Sequence, residues 1–463
     1  MSNQVIPTGV FDTSGNEKDS IVVTGWVLDQ VLDAGKVETA YCKLVQRWPI
    51  LSSRLRTRGK KWVYEIPSKF DASTPQYIFK KVVIPGPIEK TYKYPKASSS
   101  ISCTVKHDPN DLFSQDGPRS VGAYMKSNIP VAQLQVTLFD DATLVGLTTP
   151  HVLCDGHGNK EIINAVTRIL RGEDIEDLPS ADPFTPFVIP DDKKDEPIKT
   201  PPFWKVFSTW DIVTFMAYLA ADFIKTRDIS NRDIFFPKEE VERIKQQAMD
   251  DLKKEKGDDP EAWVSSSDAL IAFCLKRVHP RSSSTTPLNV LYSANLRRYL
   301  KHPAPLPRPF LHNAAMTVVT PTLPLSAIHT LSLGALAYHV RCTLREQTAP
   351  EALDTWLKWR IKNAGRMSLF FEPNGGAWNV VTNWRDMKLM ELDFSAALPD
   401  GQEGNKVKCL YLFGTSFQPF PVRNIMGLVA DDPSGGIWMG GFFSDKKVWE
   451  REDGFKEFIV QDS

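Results

Sequence analysis

Apolar residues at Val37, Tyr41, Leu44 and Val45 recur at helical spacing, just after Gly35, and predict a helix. Pro49 stops it at about Trp48. The period then shortens to two. Segments 61–66 and 77–83 favour strands, and Ala132, Leu134, Val136 and Leu138 alternate with Gln133, Gln135 and Thr137 as in a half-buried strand. Asp140-Asp141 makes the turn and 143–148 returns. Past a loop at 150–158, Ile162, Ile163, Val166, Ile169 and Leu170 mark an amphipathic helix that ends at Gly172. Residues 173–202 are rich in Pro and Asp and have the composition of a linker. A charged helix over 238–256, a helix at 267–277, a strand at 288–293 and a helix around 326–347 follow. Several short strands run to about Phe443, and no internal repeat is evident.

The apolar stretch 203–224 invites a membrane reading. Lys205, Asp211 and Asp222 oppose it, because each central charge costs ~2.5–3.5 kcal/mol to insert. Val206, Trp210, Val213 and Ala217 fall near helical spacing, which predicts a buried or surface-lying amphipathic helix. No transmembrane span is expected.

At 463 residues the chain is too long for one comfortable core, so two domains are expected. With 42% hydrophobic and 24% charged residues it is an ordinary globular sequence. Basic and acidic residues balance at 56 each, which argues against a nucleic-acid partner. Six scattered cysteines form no CxxC pair and support neither a zinc site nor a disulfide framework. No secretory signal is visible at the N-terminus. The expected location is the cytoplasm.

The chemistry concentrates in Thr148-Thr-Pro-His-Val-Leu-Cys-Asp-Gly-His-Gly158, between a predicted strand and a predicted helix. Such loops position catalytic groups through their rigid flanks. His151 supplies a base, and a histidine of ordinary pKa (~6.5) accepts a proton at physiological pH. Asp155 follows four residues later; it could orient the imidazole or pair with a distant arginine. Gly156 and Gly158 suit a turn that other residues resist. His151, Asp155 and His157 also lie within seven positions, but a Gly-rich turn does not keep them on one face, so no metal is expected.

The string His151-Val-Leu-Cys-Asp155-Gly156 resembles the HxxxDG motif of BAHD-type, coenzyme A-dependent acyltransferases, a motif shared with condensation domains, carnitine acyltransferases and chloramphenicol acetyltransferase. Other segments match in order. Arg47 to Leu55 is similar to the family's YPxLAGRL stretch, and Trp263 to Phe273 to its STNDALxAxLW helix start. Ser293-Ala-Asn-Leu-Arg297 resembles VNxR, and Leu311-His-Asn-Ala314 resembles YxGNA. Asn383-Trp384, then Asp393-Phe394, resembles the approach to DFGWG. The closest likeness is to fungal secondary-metabolite members such as the trichothecene acetyltransferases. One segment departs: Asp393-Phe-Ser-Ala-Ala397 lacks the tryptophan and both glycines of DFGWG. In the family that aspartate pairs with the arginine of VNxR, which implies an Asp393–Arg297 pair here.

The resemblance implies a mixed α/β fold of two chloramphenicol-acetyltransferase-like domains with a channel at their interface. The implied division is 1–200 with the motif (a strand segment near 393–413 returning to it), a crossover at 201–236, and 237–463. His151 is the implied general base, with Asp155 in a structural role against an arginine and Gly156 in the turn. A tetrahedral oxyanion needs a donor at ~3 Å, often worth ~2.7–4 kcal/mol; the candidates are Thr415, Ser416 and a nearby backbone N–H. Ser265, Ser266 and Ser267 are expected to cap a helix starting at Asp268 and to meet the pantetheine arm or a phosphate of coenzyme A. Cys154 is expected to pack under the loop rather than attack. His157 either lines the channel or sits exposed, and Gly435 to Gly441 reads as a turn and strand.

The implied activity is transfer of an acyl group, acetyl by expectation, from acyl-CoA to a hydroxyl or amine of a small, apolar, polycyclic metabolite. No tightly bound cofactor is implied, and the implied state is a monomer. Two rival readings are a condensation-type catalyst using a carrier-protein thioester or performing a cyclisation, and a non-catalytic binding protein.

Overall fold

A computed structural model describes residues 2–13, 17–107, 109–114, 116–190, 192, 195–225, 230–364, 366, 368–369, 376–402, 404–419, 423–443 and 446–460. Two large sheets organise the chain. The five-stranded sheet runs in the order Cys409–Phe417, Ile21–Leu28, Thr143–Pro150, Gln133–Leu138, Ile78–Val83. Its pairs are antiparallel except the last. The eight-stranded sheet takes most of its strands from the C-terminal half, and Ser102–Val105 joins its edge beside Ser230–Phe236. Each sheet thus borrows a strand from the other half of the sequence.

Local chemistry explains the elements around the motif. Asp33 caps the helix Ala34–Arg47 by accepting from Gly35 N and Lys36 N. Its Val37, Tyr41, Leu44 and Val45 are buried, and it packs against the helix Gly156–Leu170. The turn after Leu138 is built as expected: Phe139 N–H donates to Ala142 O at 2.9 Å. The long helix Lys238–Lys256 also forms where the sequence puts it.

Two expectations change, one strand was not expected, and one open choice is settled. The strand Gln133–Leu138 is buried on both faces rather than half-buried. The short helix Asn110–Phe113 covers its polar face, and its carbonyls satisfy the side chains: Gln135 Nε2 donates to Leu112 O at 2.9 Å and Thr137 Oγ1 donates to the same oxygen at 2.7 Å. The helix expected around 326–347 is two, Ala327–Thr330 and Leu333–Gln347, because Ser332 caps a new start through Ala335 N–H at 2.9 Å. The strand Ile21–Leu28, central to the five-stranded sheet, had no period-two signal because all eight residues are buried. Of the two alternatives for the apolar stretch, the helix Thr209–Lys225 follows the surface-lying one: Trp210 is 72% exposed, while Phe215 is buried.

Candidate active site

The strand Thr143–Pro150 ends at the motif, and His151 begins a tight turn in which Leu153 N–H donates to Pro150 O at 2.8 Å. His151 N–H donates to Ser20 O at 2.9 Å, and its carbonyl accepts from Asn313 Nδ2 at 2.9 Å. The backbone is therefore held from both sides. The side chain is half-buried, and no described residue hydrogen-bonds the ring. Val152, Leu153 and Cys154 beneath it are buried.

Asp155 turns away from this ring. Its Oδ1 caps the helix Gly156–Leu170 by accepting from Gly158 N at 3.0 Å. Its Oδ2 accepts from Arg297 Nη1 at 2.8 Å and from Ala314 N at 2.9 Å. Burial pushes this carboxyl up, but Arg297, His157 and the Ala314 N–H outweigh burial and hold it at about 2. Arg297 in turn donates through Nη2 to Phe310 O at 3.1 Å and His312 O at 2.8 Å. Asp155 thus stitches the motif to residues 295–314.

The expected Asp393–Arg297 pair does not form. Asp155 takes the guanidinium, whereas Asp393 Oδ1 accepts from Ser395 N at 2.9 Å and stabilises the turn Ser395–Ala397. The glycines also act differently from the turn expectation, since neither Gly156 nor Gly158 has a positive φ. Gly158 is needed for close approach: a Cβ there would stand 2.2 Å from Leu311 O. A Cβ at Gly156 would meet Met387 Cε at 3.1 Å and Trp384 Cε2 at 3.6 Å.

Thr415 and Ser416 lie on the strand Cys409–Phe417, two strands from the motif. The register aligns Ser416 with Val22 and Thr149, and Phe417 with Ile21 and Pro150. At ~4.8 Å per strand, their backbones stand ~10 Å from the His151 strand. Successive residues face opposite sides, so the two candidates cannot both serve one site. Ser416 shares its face with Gly414, whose Cβ would meet Trp384 Cζ3 at 3.4 Å; Thr415 shares the face of buried Phe413.

Ser265 is the N-cap of the helix Ser266–Val278, which starts two residues before the expected Asp268, with a reciprocal capping box to Asp268. Arg341 Nη2 also donates to Ser265 Oγ at 2.7 Å. Ser266 and Ser267 accept from Arg385 Nη1 at 3.0 and 2.8 Å.

Sequence reasoning missed the segment 383–387 as a unit. Asn383 Nδ2 donates to Tyr292 Oη at 2.9 Å, Trp384 lies against Gly156 and Gly414, and Arg385 holds the two serines. Asp386 Oδ1 is 3.4 Å from His157 Nε2, which is itself 2.8 Å from Asn295 Nδ2. The signal was an Asn-Trp-Arg-Asp run just ahead of a recognised signature. Cys154 is packed as expected: its Sγ donates to Asn159 Oδ1 at 3.0 Å, and burial raises its pKa. The described residues contain no cluster of three metal-ligating side chains.

The model of the Transferase family matches residues 98–400, which include the motif and Asp393. The chain belongs to that family. It is a transferase of the BAHD acyltransferase type, akin to the fungal members. Transcriptional regulator calD of Penicillium decumbens is 26% identical over 480 residues, 97% of this chain and 94% of that protein. Acetyltransferase adrJ of Penicillium roqueforti is 24% identical, over 95% of this chain and 93% of its own length. Among solved structures, TRI101 of F. graminearum complexed with coenzyme A and T-2 mycotoxin has a TM-score of 0.66 at 14% identity, covering 98% of each chain. That similarity establishes the shared mixed α/β fold.

Proposed function

We propose that this transferase moves an acyl group, acetyl by preference, from acyl-CoA to a hydroxyl group of a small apolar secondary metabolite, with His151 as general base. One observation carries the reading: within the motif Asp155 is locked to Arg297 while the His151 imidazole keeps both ring nitrogens free of described partners. The imidazole takes the acceptor's hydroxyl proton as that oxygen attacks the thioester carbonyl. The tetrahedral oxyanion is met by a donor from the strand Cys409–Phe417, with Ser416 favoured because it shares the face of Gly414 beside Trp384. The intermediate then expels the thiolate, which receives the proton from His151.

No acyl-enzyme is needed, and the raised pKa of buried Cys154 speaks against a thiolate nucleophile. On the donor side, Ser266 and Ser267 with Arg385 offer hydroxyls and a cation to coenzyme A. Two relatives support the choice of substrates: one named an acetyltransferase, and a structural neighbour holding coenzyme A with a mycotoxin. The division at 1–200, 201–236 and 237–463 belongs to this reading, as do the monomeric state and the cytoplasmic location. All six cysteines are free, which suits a reducing compartment, and no helix among the described residues is long and apolar enough to cross a membrane.

The reading is tested by incubating the protein with acetyl-CoA, or with acetyl on a carrier protein, and a panel of hydroxylated terpenoids and polyketides. Acetylated product formed from free acetyl-CoA, detected by mass spectrometry, is the expected result. Product from the carrier alone overturns the choice of donor.

A further inference from the structure

A second buried cluster touches the His151 turn through His312 and Asn313, next to the Ala314 N–H that Asp155 accepts. The Asp12 side chain has no solvent exposure. Its Oδ2 accepts from Gly9 N at 2.7 Å and from His312 Nδ1 at 2.7 Å. Its Oδ1 accepts from Asn313 N and from Asn313 Nδ2, both at 3.0 Å. The other Nδ2 hydrogen of Asn313 goes to the His151 carbonyl at 2.9 Å. Only the amide nitrogen suits two acceptors, so the carboxylate fixes which way Asn313 points. Tyr64 Oη stands 3.4 Å from Asp12 Oδ2 and donates to Val152 O at 2.6 Å. The carbonyls of His151 and Val152 are therefore each held by a group in contact with Asp12. A buried carboxylate is costly without a partner, and His312 supplies one.

We propose that Asp12 is a positioning residue for His151: it orients Asn313, which clamps the His151 carbonyl, and His312 is the partner that keeps this clamp in place. The proposal rests on His151 being the base. It also links the clamp to pH. His312 faces Asp12 from the N-terminal segment, Asp182 from the segment after the motif helix, Arg297 from the helix Leu296–Tyr299 and the Tyr64 ring from the strand Lys61–Ile66. Burial lowers its pKa, but Asp12 and Asp182 outweigh burial and Arg297, and the net shift is upward. As pH rises through that value, Asp12 loses its counter-charge and the clamp loosens.

The test compares wild type with Asp12→Asn, Asp12→Glu and His312→Asn, the last keeping a donor near Nδ1 but no charge. Asp12→Asn is expected to lower kcat by about ten- to a hundredfold, with KM for acetyl-CoA and acceptor within about twofold. Asp12→Glu should recover part of that loss, and His312→Asn should remove one titration from the kcat–pH profile. A fall in kcat that merely tracks lost melting temperature, or no fall, overturns the proposal. If Asp12→Asn does not fold, Asn313→Ala, which keeps the Asp12–His312 contact, carries the same prediction. An independent readout is the rate at which diethyl pyrocarbonate modifies His151, followed by peptide mass spectrometry. It should rise several-fold in Asp12→Asn and Asn313→Ala; an unchanged rate rejects the clamp. Should wild type consume no acyl-CoA, the acyl-transfer reading fails and this arm still judges the positioning.

Discussion

Asp155 is the residue whose energetics can be read most directly. Its carboxyl is held at about 2 in the folded chain, below the ~3.9 of an unfolded aspartate. Its contribution is therefore complete above pH ~4 and is lost as pH falls toward about 2, on the order of 2 kcal/mol in all. In denaturant titrations, Asp155→Asn should lose stability at pH 6 and show a shallower decline between pH 4 and pH 2 than wild type. An equal slope would mean that Arg297 does not hold the carboxylate. The motif itself was legible because its residues are contiguous. Its partner was not, since Arg297 lies 142 positions away, and resemblance assigned that arginine to Asp393. The Asp12 cluster was invisible for the same reason: it joins residues 300 and 301 positions apart.

At the scale of elements, helix stops were legible where a proline or glycine fixes them, as at Pro49 and Gly172, whereas the start capped by Asp33 lies ahead of Gly35, where the apolar spacing put it after. What could not be read was which face meets the core. The exposed stripe of the helix Thr209–Lys225 is as apolar as the buried one, so periodicity alone does not choose. Trp210→Ser should change stability by less than about 0.5 kcal/mol, whereas Phe215→Ala should cost about 3 kcal/mol; thermal denaturation separates the two. Gly158 gives a sharper case. In a free helix interior Gly→Ala stabilises by up to about 1 kcal/mol. Here the added methyl meets Leu311 O at 2.2 Å, so Gly158→Ala should instead lower both the melting temperature and turnover. A more stable variant would show that residues 311–314 can withdraw without cost.

Across the whole molecule, the exchange of strands ties the two halves together. A fragment ending at residue 200 keeps Ile21–Leu28 but loses its neighbour Cys409–Phe417 and exposes an apolar edge. Such a fragment should show no cooperative melting, while the full chain unfolds with both sheets together. A sharply melting fragment would contradict this. The mixed α/β class was legible from the helix and strand patterns of both halves and from the resemblance that the ordered motifs carry. Strand order was not, because nothing local marks Ser102–Val105 or Cys409–Phe417 for the opposite sheet. The central claim, that His151 removes the acceptor proton, is tested most directly by acceptor-stimulated thiol release from acetyl-CoA in wild type and His151→Ala. The account predicts a loss of about a hundredfold to ten-thousandfold in the variant with unchanged melting temperature. Equal rates in the two proteins would contradict it.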